Sequence, residues 1–136
     1  MSNASRLPSH HEILSPDIST LASVRAGAKA INDRVASGAL PPIRALILNA
    51  AIQHNQGQTF TNDGLKSNFG VDYLSNVLLV LLLLESMGEE SGRIVIISSW
   101  THDPLDTRNS HIKEDSHKII FKDVDTLAKS LIEKGR

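Results

Sequence analysis

Two short apolar runs, Ala45-Leu46-Ile47-Leu48 and Arg93-Ile94-Val95-Ile96-Ile97, decide the fold, and what lies between them is a single connection. Each run is flanked by turn residues and lacks the polar alternation of a half-exposed strand. Each therefore reads as a strand buried on both faces, as parallel sheets require. Pro41-Pro42 bars a helix ahead of the first run. Gln53-His54-Asn55-Gln56-Gly57-Gln58 after it is a polar loop. Thr61, Asn62 and Asp63 are candidate caps for a helix predicted from about Leu65 to Met87, with Gly88 as its stop. Strand, long helix, strand makes one βαβ unit, expected to be right-handed. The fold class is α/β.

Outward from this unit, the chain reads as a single domain over residues 1–136, with Met1–His11 a loose terminus. Glu12-Ile13-Leu14 is predicted as a short strand ended by Ser15-Pro16. Ser19 or Thr20 caps a helix whose apolar stripe is Leu21, Val24, Ala28, Ile31 and Val35. Gly38 is placed as its left-handed stop. Residues 100–122 read as a polar loop, and Asp123 as the cap of a last helix carrying Val124, Leu127 and Leu131.

Composition narrows the function classes. A chain of 136 residues has room for one core, and aromatics at 4% leave that core to Leu, Ile, Val and Ala. A formal net charge of -1 carries no polyelectrolyte signal, so neither nucleic acid nor an anionic membrane is expected as a partner. The chain has no cysteine, which excludes disulfides and thiolate metal sites. Its six histidines lack the paired helical spacing of a zinc site, so no metal is expected. No secretory h-region precedes Pro16, and Val77–Leu84 falls short of the roughly 18 apolar residues of a spanning helix. A soluble, cytoplasmic protein is expected.

Both strands end in small polar residues, Asn49-Ala50-Ala51 and Ser98-Ser99, at the edge where open parallel sheets bind ligands. This arrangement resembles the short-chain dehydrogenase/reductase family. The resemblance rests on Leu48-Asn49-Ala50-Ala51, then Phe69-Gly70-Val71-Asp72-Tyr73-Leu74, then Arg93–Ser99, with Asp17-Ile18-Ser19 resembling the segment after the family's third strand. It runs from about Leu14 to Ser99. The Thr61-Asn62-Asp63-Gly64-Leu65 lead-in and the Leu-rich helix are most similar to the retinol-dehydrogenase-like branch. The resemblance implies a truncated Rossmann-like sheet, NAD(P) as cofactor, and a small carbonyl or alcohol substrate. It also implies that Ser99 orients the substrate oxygen, that Asn49 and Ala50 line the cofactor cleft, and that Asp17 contacts the adenine. Asp17 reads equally as a turn residue ahead of a helix, and Asn49 as a strand terminator. Asp72 falls where the family carries Asn. A carboxylate accepts hydrogen bonds but does not donate them, so a proton relay arranged around an amide would be altered here.

Two segments of the family's machinery are not found in this sequence. Its eight glycines include no three clustered as a phosphate-binding turn, and the 16 residues before Asp17 are too few for a strand-helix-strand unit. The one tyrosine, Tyr73, precedes Ser99, and four positions on stands Val77 rather than Lys. The expectation is a partial oxidoreductase, inactive as this isolated chain. It should be marginally stable or self-associating, as a homo- or hetero-oligomer, with Glu12–Leu14 either pairing in a new way or fraying. The alternative is a non-catalytic protein that pairs with a full-length relative through Leu65–Met87. An incomplete reading frame or a decayed copy is a third reading. Ser99, His102 and Asp103 contain the residue types of a hydrolase triad, but no Gly-x-Ser-x-Gly elbow surrounds the serine.

Overall fold

The structure, a computed structural model, describes residues 12–53, 57–100, 106–109 and Ala128. The expected loose terminus and last helix lie outside the described residues, as does most of the polar loop after Ser99.

The first element, helix α1 (Leu21–Ala36), starts where the sequence predicts. Thr20 is extended and its Oγ1 accepts from the Ser23 N–H, satisfying one of the helix's unpaired donors. A second comes from far away in the chain, since the Leu21 N–H donates to Asp63 Oδ2 at 2.9 Å. Of the predicted stripe, Val24 and Ala28 are fully buried, and Leu21, Ile31 and Val35 partly so. The helix ends with Gly38 at φ +76°, and the Gly38 N–H closes back on Val35 O at 3.0 Å.

Strand β1 (Ala45–Leu48) and strand β2 (Arg93–Ile96) pair in parallel, with Ala45 opposite Arg93 and Leu48 opposite Ile96. Between them runs a helical stretch of three kinds. A π-helical segment, Phe69–Ser75, leads into helix α2 (Asn76–Leu83), which tightens into a 3₁₀ turn over Leu84–Ser86. The helix therefore stops at Ser86, where Met87 turns extended and forms a parallel bridge with Ile43. Gly70 lets the helical stretch approach the preceding loop closely, because a Cβ there would lie 2.9 Å from Thr61 Cγ2 and one of the two would have to shift. Helix α2 packs on α1, and Asn32 of α1 grips its end. Asn32 Nδ2 donates to Leu82 O at 2.7 Å, while Ser86 Oγ donates to Asn32 Oδ1 at 2.6 Å.

Three expectations need correction. Glu12–Leu14 forms no strand: it is coil, with Ile13 79% exposed, because no strand beside it offers a ladder among the described residues. The strands are not buried on both faces. Only Leu48 of β1 is buried, and all of β2 is exposed, on the side toward the helical stretch as well as the other. The length argument against a spanning helix also falls, because Phe69–Ser86 gives 18 helical residues at mean hydropathy 1.6. Length and composition alone suit a bilayer. This stretch, however, turns Asp72, Ser75, Asn76 and Ser86 to hydrogen bonds with the segments around it, as does Asn68 just before it.

Glu12 is tied to α1 instead, with Arg34 forking its carboxylate at 2.6 and 2.8 Å. That hydrogen-bonded guanidinium, with its charge, holds the Glu12 carboxyl below the usual range. A depressed carboxyl pKa gives a contact fully present above the ordinary value of 4.5 and lost as pH falls through the lowered one. The Glu12 and Arg34 side-chain NMR signals are therefore expected to titrate together below pH 4.5. The melting temperature should change little, the pair being exposed. Independent titration of the two would show that the fork does not form.

Candidate functional site

Both strands deliver their carboxyl ends to one cleft. It has a volume of about 310 Å³, and its walls are Asn49, Ala50 and Ala51 after β1, Ile97, Ser98 and Ser99 after β2, and Asp72 and Asn76 from the helical stretch. Parallel strands offer their last carbonyls and the following loops at this edge, which is why open α/β sheets bind ligands there. Small residues at 50, 51, 98 and 99 keep it open.

Four residues singled out from the sequence thus meet: Asn49, Ala50, Asp72 and Ser99. Asp17 does not line this cleft. Its Oδ1 accepts from the Ser19 N–H at 2.9 Å, and its own N–H donates to Ser23 Oγ, the geometry of a turn ahead of a helix. Hydrogen bonding from Ser19, side chain first and then backbone, lowers the Asp17 carboxyl pKa. Ser75 nevertheless ties this turn to the site's helix, donating through Oγ to Ile18 O at 2.7 Å. The next residue, Asn76, reaches the opposite way to Ala50 O at 3.3 Å. Adjacent residues of one helical stretch therefore hold the loop before α1 and the loop after β1.

The π-helical turn sits against the cleft. Asn76 Nδ2 also donates to Val71 O at 3.0 Å and Asp72 O at 3.1 Å, pairing carbonyls at the end of the widened turn. Asp72 is exposed, and its Oδ1 accepts from the Ile52 N–H at 2.8 Å. Sequence reading passed over Asn68 and Asn76. Their signal was a spacing: residues 68, 72 and 76 are all short and polar at intervals of four along a mostly apolar helical stretch. Beyond Ser99, Arg108 stacks 4.5 Å above the Trp100 ring and forks Asp106.

The curated relatives share this segment. The chain is 54% identical over 95 residues, or 70% of its length, to a short-chain dehydrogenase, iccH, of Talaromyces variabilis. The chain is a partial member of the short-chain dehydrogenase/reductase family. Two more distant relatives extend the match. A WW domain-containing oxidoreductase of Gallus gallus is 33% identical over 81% of the chain, and oxidoreductase calI of Penicillium decumbens 33% over 84%. The matches span only 26%, 24% and 32% of those three relatives, so the chain corresponds to about a quarter to a third of each. No protein-family model matches the chain. Among the described residues, no group of three His, Cys, Asp or Glu could hold a metal ion.

Proposed function

We propose that these residues are the middle of an NAD(P)-dependent oxidoreductase acting on a small carbonyl or alcohol. The observation that carries this reading is the cleft shared by the Asn49–Ala51 and Ser98–Ser99 strand ends in a chain of dehydrogenase kinship. The donor set suits the sugar and ring end of a dinucleotide, with backbone groups, an Asn amide and two hydroxyls around small side chains. Asn49 and Ala50 would line the cofactor, Ser99 would orient the substrate oxygen by hydrogen bonding, and Asp17 would lie toward the adenine. When bound, the cofactor supplies the hydride. The protein's part at Ser99 is to orient, since a serine hydroxyl at its ordinary pKa is a poor proton carrier at neutral pH.

No residue pair in these 136 residues repeats the family's Tyr and Lys, because the single tyrosine, Tyr73, lies on the helix with Val77 four positions on. The 136-residue chain alone is therefore expected to bind NADP⁺ weakly and to reduce nothing. Titrating NADP⁺ into the ¹⁵N-labelled chain should shift the amides of Asn49–Ala51 and Ser98–Ser99 ahead of all others. Silence at those five positions would overturn the cofactor reading. NADPH-dependent carbonyl reduction would overturn the inactivity.

A second reading has its own support. Tyr73, Val77, Leu81 and Leu84 form an exposed apolar row along the helical stretch, suited to pairing with a full-length relative. Failure to co-purify with such a relative on co-expression would remove it.

A further inference from the structure

Ile52, in the loop that leaves β1, has both of its backbone groups held by side chains. Its N–H donates to Asp72 Oδ1 at 2.8 Å, and its C=O accepts from Asn68 Nδ2 at 2.9 Å. Asn68 Nδ2 also lies 3.4 Å from Asp72 Oδ2. Asn68 and Asp72 stand four residues apart on one helical stretch, so their side chains rise on the same face.

The chemistry of each group explains the division. A carboxylate can only accept, so Asp72 can hold the Ile52 N–H and has nothing to offer the Ile52 carbonyl. An amide at position 72 could do both, accepting through its oxygen and donating through its nitrogen. Here the donor comes from the neighbouring turn.

We propose that Asn68 and Asp72 act together as a divided amide that clamps Ile52 and so sets the Asn49–Ala51 wall of the cleft. Asp72 is then a positioning residue, since one oxygen is engaged by the Ile52 N–H and the other faces the Asn68 amide. Asn76 completes the row by holding Ala50 O at 3.3 Å. Three side chains at intervals of four thus fix three backbone groups of one short loop. The clamp stands on geometry alone, while its service to a cofactor rests on the function proposed above.

The two claims separate in one set of experiments on the ¹⁵N,¹³C-labelled 136-residue chain. Asn68→Ala removes the donor, and is expected to shift the Ile52 carbonyl carbon and to speed amide exchange in the 50–53 loop about fivefold, the size of one lost hydrogen bond. Asn68→Leu should do the same while keeping side-chain size and adding no charge beside Asp72, which covers the case in which truncation disturbs the helix. Adding Asp72→Asn to either variant is expected to restore the Ile52 signal and the exchange rates, since Asn at 72 supplies both partners. Asp72→Asn alone should change neither. If Asp72→Asn fails to rescue and its effect simply adds to that of the Asn68 variants, the divided amide is wrong. If rescue occurs but NADP⁺ leaves Asn49–Ala51 unmoved, the clamp stands and the cofactor reading fails.

Discussion

Leu83→Ala is expected to remove about 2–5 kcal/mol of folding stability, enough to abolish a cooperative unfolding transition in this chain. Leu83 is 1% exposed, the most deeply buried large side chain of the helical stretch. It sits where α2 meets the rest of the fold and shares a cavity wall with Ile31 of α1, Ile43, and Leu46 of β1. Truncation leaves a void between helix and strand that neither can close. The hydrogen bonds from Asn32 to Leu82 and from Ser86 to Asn32 hold the backbone on both sides of it in place. Leu81 supplies the control. Two residues away and 62% exposed, its replacement by Ala should change stability by less than about 0.5 kcal/mol. Urea unfolding followed by circular dichroism distinguishes the pair. Equal effects for the two variants would mean that the helix is rotated from the register seen here.

Local signals were legible in the sequence, and signals set by distant neighbours were not. The four residues of β1 begin and end as expected from Pro42 and Asn49. Thr20 caps α1, and Gly38 ends it with a positive φ, because each device works through the nearest few residues. Burial of the strands is a different matter. Ile47 is 61% exposed and Ile96 71%, though both have the sequence character of core. An apolar run records the environment that a strand is suited to, and whether that environment forms depends on segments elsewhere. Glu12–Leu14 makes the same point, since a strand needs a neighbouring ladder and this one has none among the described residues.

The site was half legible for a related reason. Asn49, Ala50 and Ser99 were found as strand ends, from the rule that parallel sheets bind at that edge. Asp72 was found as a departure from the family pattern and read as a disturbance of proton relay. Its hydrogen bond to Ile52 adds the holding role proposed above, which becomes visible only once Asn68 is seen beside it. The π-helical turn was invisible for want of any backbone signal. It is accompanied by one side chain, Asn76, whose amide pairs carbonyls at the turn's end.

At raised concentration the isolated 136-residue chain is expected to self-associate, and Leu81→Glu with Ile96→Lys to return it to monomer. The driving force is apolar area left in water. Ile94, Val95, Ile96 and Ile97 are each at least 40% exposed, and Tyr73, Val77 and Leu81 share an apolar hollow of about 350 Å³ with Ile94 and Ile96. Covering even a few hundred Å² of such surface gives about 25 cal/mol per Å², several kcal/mol in all. Among the described residues the sheet has two strands, whose outer edges would template further pairing. Neither substituted position is buried, so both charges stay hydrated and folding should be unaffected. Sedimentation velocity over a hundredfold dilution reads the result directly. A rising sedimentation coefficient for the parent chain, and a constant monomer value for the double variant, would identify the open face of helix and sheet as the contact. A parent chain that stays monomeric and melts sharply and reversibly would mean that this face is already covered by residues of its own chain.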